Sequence, residues 1–357
     1  MNRRAHLIIP AAGLSTRYGL SRPKFLLQHP EGMTMLAAGL RGLPRDGLAG
    51  ATVVSLKAYF EDLDTAKIAA EVGEVLQTDV DFLLLDSPTA SMVATINEAI
   101  RTFDDDDAIV IKDTDNYISV DAATAPYGGN FVAYADVRKF PHVVAANKSY
   151  VEIDAQDRVF NIVEKRVVSS EFNTGLVGFR SASEFLAMSQ TLEAASRTYV
   201  SDIVRGLIDE GELFGAIEAD VYEDWGTIKE WREYCRTFAT IFADLDGTLV
   251  QNENPYGLTG GWTRFRPIEE NLGWLLQRAR SGRCRIVFTT SRSESYRSLL
   301  SEQLREHGFE QFDLVMGLPH AQRILINDFA PTNPYPSALA VNLPRNDPSM
   351  PSYLPFA

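Results

Sequence analysis

Apolar residues in this chain fall into short continuous runs, separated by longer stretches in which they recur three and four positions apart. The runs at 6–10, 51–56, 81–85 and 108–112 read as strands. The stretches 33–42, 91–103 and 199–210 carry the helical period. Strands that are apolar on both sides and separated by helices imply a largely parallel sheet with crossover helices. A helical stretch at 228–238 then leads to a second beginning. Strands are predicted at 240–245, 285–290 and 323–326, with helices at 267–281 and 293–308 between them. The pattern predicts two α/β units, 1–237 and 238–357, and a Pro- and Ser-rich irregular tail after Leu343.

Composition narrows the functional classes. With 357 residues, two domains are the natural expectation, and 45% apolar residues supply enough material for two cores. A formal net charge of -14 opposes binding to nucleic acid and to anionic membrane surfaces, while small anionic substrates are allowed. Cys235 and Cys284 are the only cysteines and form no CxxC or Cys/His cluster, which speaks against structural zinc and fits a reducing cytoplasm. The apolar run 7–14 is short, interrupted by Pro10 and Gly13, and soon followed by Arg17 and Lys24. It reads as a buried strand entering a loop rather than an export signal. The acidic run 104–107 reads as a solvated turn.

The first candidate site begins at 9–27, where the strand runs into Ala11-Ala12-Gly13-Leu14-Ser15-Thr16-Arg17, followed by Pro23-Lys24. Small residues let backbone N–H groups approach phosphates, and Arg17 and Lys24 add positive charge. Neither GxGxxG nor GxxxxGK[ST] is present. Residues 109–118 form an apolar strand ending in Asp113 and Asp115, at the edge where parallel sheets bind ligands. Val163-Glu164-Lys165, then Asn173-Thr174-Gly175-Leu176, and finally Glu223-Asp224-Trp225-Gly226-Thr227 complete the set. Taken together and in this order, these elements resemble the sugar-phosphate nucleotidyltransferases. Ser15 stands where many members have a second glycine. The resemblance implies a mixed-sheet α/β domain and transfer of a nucleotidyl group from an NTP to a phosphomonoester. Magnesium would be held by Asp115 and Asp224, with Asp113 as the alternative to Asp115. Arg17 and Lys24 would bind the triphosphate, Lys165 the attacking phosphate, and Glu164 and Gly175 the acceptor. The segment 87–95, with Thr89 and Ser91, is expected near the base and ribose. Because the loop resembles that of capsule-type cytidylyltransferases, CTP is the favoured nucleotide, with UTP and dTTP as alternatives. The expected product is an activated sugar or polyol, plausible in capsule or other surface glycan; a non-sugar phosphoester or phosphonate acceptor is the alternative.

The second site is carried by Ile241-Phe242-Ala243-Asp244-Leu245-Asp246-Gly247-Thr248. A buried strand delivering two aspartates two residues apart, with a glycine for the exit, resembles the first motif of haloacid-dehalogenase-type phosphohydrolases. That family has a Rossmann-like parallel sheet. The resemblance makes Asp244 the nucleophile, Asp246 the general acid/base, Thr290 the phosphate-binding hydroxyl and Asp328 a magnesium ligand beside Asp244. The family's usual lysine is missing, since no lysine follows Lys229, and Arg323 is the nearest substitute. The spacing between Asp246 and Arg292 leaves room only for a minimal cap, expected as a small flap at 256–262. A unit retained for binding or regulation is the non-enzymatic alternative.

Overall fold

The computed structural model describes residues 4–14, 23–103, 107–121, 127–140, 143–193, 199–252, 261–328 and 337–354. The chain divides into two compact units, Met1–Tyr234 and Cys235–Ala357.

The first unit is built on a ten-stranded mixed sheet. Its strands are β1 (Ala5–Ala11), β2 (Leu48–Leu56), β3 (Val80–Leu85), β4 (Ala108–Lys112), β5 (Asn116–Val120), β6 (Phe131–Asp136), β7 (Ser149–Ile153), β8 (Arg158–Glu164), β9 (Glu171–Phe179) and β10 (Phe214–Asp224). Their order is β3-β2-β1-β4-β9-β6-β10-β8-β7, with β5 paired to β10. The first four strands are mutually parallel. From β9 onward the pairing is mostly antiparallel, although β6 and β10 run parallel. The expectation of a largely parallel sheet therefore holds for one half only.

The helices are α1 (Met35–Leu40), α2 (Thr65–Leu76), α3 (Met92–Ile100), α4 (Ala182–Glu193), α5 (Val200–Asp209) and α6 (Ile228–Cys235), whose last residue falls in the second unit. Successive strand residues serve opposite faces. Leu7, Ile9 and Val53 join one core, and Ile8 and Val54 join the other. Both faces are covered, so these strands read as unbroken apolar runs instead of alternating ones. Local signals fix the helix starts: Thr34 Oγ1 accepts from the Ala37 amide at 3.1 Å, and Ser91 Oγ accepts from the Ala94 amide at 3.1 Å.

The second unit is smaller. Three parallel strands, β11 (Ala239–Asp244), β12 (Cys284–Thr289) and β13 (Asp313–Val315), lie in that order, and helices α7 (Glu269–Arg280) and α8 (Arg297–Glu306) accompany them. Leu245, Leu249, Leu275, Phe288, Leu304 and Phe309 form the core. Buried Asn271 ties the tail to it, donating to the carbonyls of Thr248 and Asp347 at 2.7 Å each and accepting from the Met350 amide.

One predicted strand is not formed. Residues 323–326 have no strand conformation, and Ile324 and Ile326 are 76% and 89% exposed. Arg323 turns back on its own chain, donating to the carbonyls of Pro319 and Ala321 at 3.1 and 3.0 Å. A three-residue apolar run gains too little from a ladder to overcome that local closure. Most of the expected flap, and residues 104–106 of the acidic run, lie outside the described residues.

Candidate functional sites

In the first unit, four chain segments bring charge to one place. β1 leads into Ala12, which is buried, and Gly13, whose carbonyl accepts from Tyr59 Oη at 3.0 Å. Ser15 and Arg17 lie outside the described residues. Lys24 opens a short 3-10 turn and forms an ion pair with Asp115. β4 ends in Lys112, which is fully buried and donates to the Asp113 carbonyl at 2.7 Å and to Asn116. Burial pulls its pKa down to about 8, against the opposing pull of Asp113 and Asp115.

Asp115 and Asp224 meet because two backbones are stapled together. The Trp225 amide donates to the Asp115 carbonyl at 2.9 Å, and β10 pairs with β5 so that Asp224 faces Asn116. Trp225 is itself locked by contacts with His29, Trp231 and Tyr234. Gly226 follows. A Cβ there would lie 3.1 Å from Asp224 Oδ1 and 3.6 Å from both Asp115 Oδ2 and Glu230 Oε2, so the glycine leaves an open cradle lined by carboxylate oxygens. Thr227 and Glu230 cap α6 reciprocally.

Gly175 has φ +82° and passes so close to Asp113 that any Cβ would overlap its carboxylate. Asp113 is half-buried, and desolvation together with the Asp115 charge raises its pKa. Burial would raise Asp115 too, but the charge and hydrogen bond of Lys24, with Lys148 and Lys112, outweigh it and hold Asp115 low.

Lys148, which no sequence motif marks, stands in this group. Its ammonium lies 2.6 Å from Asp224 Oδ2 and donates to Tyr222 Oη at 2.5 Å, with the Tyr222 and Phe172 rings 5.0 and 5.8 Å away. Lys165, expected at the attacking phosphate, is half exposed, donating to Tyr199 Oη at 2.8 Å and lying over that ring. Glu164 accepts from Ser149 and Ser201. Thr89 and Ser91 serve the start of α3: Thr89 donates to the Ser91 carbonyl, and Ser91 caps the helix.

All of this surrounds a cavity of about 460 Å³, lined by Gly13, Lys24, Asp113, Asp115, Lys148, Glu164, Gly175, Tyr199, Asp224 and Gly226 among others. Ala12, Thr89, Ser91 and Lys165 are not part of that lining. Among the described residues no group of three or more His, Cys, Asp or Glu side chains forms a closed metal cage. Two carboxylates facing an open cradle nevertheless fit magnesium, which commonly takes one or two protein carboxylates and completes its shell with substrate phosphate and water.

In the second unit, Asp244 ends β11 and is 47% exposed at its side chain. Burial of the remainder pushes its pKa up to about 6. Arg323, 3.8 Å away, and His320 pull it down, while Asp246 pushes it further up. Asp328 is not among the charges acting on Asp244 and is exposed, because the strand meant to deliver it is not formed. Asp246 is held differently. Thr290 Oγ1 donates to it at 2.9 Å, and Arg292 clamps both its oxygens, with Nη2 at 2.6 Å and Nε at 3.1 Å. Arg292 is 1% exposed and also donates to the Trp262 carbonyl at 3.0 Å. Thr290 is therefore committed to Asp246. Gly247, φ +91°, makes the exit turn after the pair.

No protein-family model and no curated protein sequence matches the chain. Solved structures do. A nucleoside-diphosphate-sugar pyrophosphorylase from Vibrio cholerae RC9 aligns at 18% identity with TM-score 0.53, over 64% of this chain and 99% of its own. A Bacillus anthracis structure, assigned as a glucose-1-phosphate thymidylyltransferase and solved with a sucrose, aligns at 18% identity and TM-score 0.52, over 65% and 94%. A UDP-glucose pyrophosphorylase complexed with UDP-glucose aligns at 12% and TM-score 0.50, over 65% and 97%. The matched share equals the size of the first unit, and its large mixed sheet has the fold of these nucleotidyltransferase structures.

Proposed function

We propose that the first unit is a magnesium-dependent nucleotidyltransferase that joins an NTP to a sugar or polyol phosphate. The observation that carries this reading is the pair Asp115 and Asp224 around the Gly226 cradle, flanked by Lys24 and Lys148 in one cavity. In the reaction, an oxygen of the phosphomonoester attacks the α-phosphorus, a new P–O bond forms, the bond to the β-phosphate oxygen breaks, and pyrophosphate leaves. The protein's part in such chemistry is positioning and charge neutralisation. Asp115 and Asp224 would hold magnesium, which when bound neutralises phosphate oxygens. Arg17 and Lys24 would take the triphosphate, and Glu164 and Gly175 lie on the acceptor side. Asp113 also lines the cavity and is the alternative to Asp115 as a metal ligand, with Gly175 leaving room for its carboxylate. CTP is the nucleotide favoured by the loop resemblance, and a role in capsule or other surface glycan follows from the same resemblance.

For the second unit we propose phosphomonoester hydrolysis with Asp244 as nucleophile, on the strength of the Asp244–Asp246 pair at a parallel strand's carboxyl end. A second reading, a phosphate-binding module without turnover, is favoured by the clamp of Arg292 on Asp246, which already engages both carboxylate oxygens. Two assays on the full chain separate these ideas. The first is pyrophosphate release with each NTP and a panel of sugar and polyol phosphates. The second is phosphate release from the same esters without NTP. Pyrophosphate with no nucleotide-linked product, or none with any pair, rejects the transferase reading.

A further inference from the structure

Each of the two carboxylates at the Gly226 cradle already carries an ammonium: Lys24 on Asp115 and Lys148 on Asp224. Lys148 is the less expected of the two. It precedes β7, in a segment with no phosphate-binding motif, yet its side chain is only 15% exposed and lines the cavity. Lys165, by contrast, has its ammonium on Tyr199, outside the lining.

We propose that Lys148 is the cation that receives the acceptor's phosphate, and that it is held in reserve on Asp224 until a divalent cation takes its place. This rests on the transferase reading of the site. A divalent cation held by Asp115 and Asp224 would compete with Lys24 and Lys148 for these carboxylates, and like charge would repel both ammoniums. Lys24 has the triphosphate side to move to. Lys148 is retained near the cavity by Tyr222 Oη and by the Tyr222 and Phe172 rings beside its ammonium. Tyr222 is 1% exposed, so its hydroxyl is a fixed acceptor for the ammonium. Once displaced from Asp224, Lys148 would keep only the more distant charges of Asp113 and Asp115, and a phosphate entering the cavity supplies a direct partner. Metal and acceptor phosphate then bind with positive coupling, and reciprocity requires each to tighten the other.

The test uses the full chain, with Mn²⁺ followed by electron paramagnetic resonance and inorganic phosphate as the acceptor probe. In the unmodified protein, saturating phosphate should tighten Mn²⁺ about tenfold. In Lys148→Met, Mn²⁺ alone should bind at least about threefold tighter than in the parent, and the phosphate coupling should fall below about threefold. In Lys165→Met both quantities should stay within about twofold of the parent. Lysine acetylation mapped by mass spectrometry provides a readout without mutation. Lys148 should be protected in the metal-free chain, label on addition of Mg²⁺ alone, and be protected again by Mg²⁺ with phosphate. Full coupling in Lys148→Met, its loss in Lys165→Met, or Lys148 labelling indifferent to Mg²⁺ would each overturn the proposal. If these results come out as expected while no NTP yields pyrophosphate, the transferase reading alone fails.

Discussion

Each unit brings two aspartates, two residues apart, to the carboxyl end of a parallel strand: Asp113 and Asp115 after β4, Asp244 and Asp246 at β11. In both pairs the first carboxyl is raised by burial and by its neighbour's charge, and the second is held by a cation. The cations differ. Lys24 and Lys148 are compact ammoniums on flexible stems at a cavity, where a metal can displace them. Arg292 is a fully buried planar fork with three bonds to Asp246 and one to the Trp262 carbonyl, so displacing it would leave several groups unpaired. The first site is built to exchange its counter-ions, and the second to keep them. The same spacing of acids in sequence thus says where charge will sit, while the kind of cation decides whether the site can reload.

The sharpest break of this comparison is independent failure. Asp115→Ala or Asp224→Ala should lower pyrophosphate release by about a hundredfold or more while leaving phosphate release intact, because metal-held charge stabilisation is worth several kcal/mol. Asp246→Asn should do the reverse. Normal phosphate turnover in Asp246→Asn would remove Asp246 from the chemistry.

Stability gives the next effect. Arg292→Met leaves Asp246 partly buried without its partner and should destabilise the second unit by about 2 kcal/mol in urea unfolding, less than for a fully buried pair because Asp246 is 24% exposed. Added Mg²⁺ should not restore that loss. Lys24→Met should lower the first unit's stability without metal, and Mg²⁺ should recover most of it. Equal responses to Mg²⁺ would erase the distinction between the two kinds of cation.

The pH profile follows from Asp244. Its pKa is raised to about 6, so the nucleophilic carboxylate is lost below that pH, and phosphate release should rise with pH through about 6. The linkage has the opposite sign: the native state binds its proton more tightly than the unfolded chain, so this group's contribution to stability declines as pH rises from about 4 to about 6. Arg323 pulls the pKa down, so Arg323→Ala should move the activity profile to higher pH. A profile unmoved by Arg323→Ala would place the pH-sensing group elsewhere. The smallest effect concerns the thiols. Burial pushes Cys235 up to about 12 and also raises Cys284, so alkylation at pH 8 should be much slower in the native chain than in urea.

Much of this was readable from the chain alone, for physical reasons that differ by region. β1, β2 and β4 are covered on both faces, and their apolar runs announced them. The antiparallel half was harder, because β6, β9 and β10 acquire their order from pairings distant in sequence. Asp115, Asp224 and Gly226 sit in motifs whose residue types the chemistry demands. Lys148 does not: it is a single lysine before a strand, and only the meeting of that segment with β10 gives it meaning. The predicted strand at 323–326 failed in the other direction, since β-branched residues suggested a ladder that the local bonds of Arg323 prevent. Nothing in the sequence sets Arg292 apart, yet it is buried and its bonds reach back to Asp246.

The central claim is that the first unit transfers a nucleotidyl group, and ³¹P nuclear magnetic resonance follows every phosphorus involved. The full chain is incubated with Mg²⁺, each NTP in turn and a panel of sugar and polyol phosphates. The account predicts, for one nucleotide and one acceptor, a new pair of coupled diphosphate resonances that grows in step with pyrophosphate and is absent in Asp224→Ala. Nucleotides left unchanged with every acceptor, or loss of the γ-phosphate alone, would contradict it.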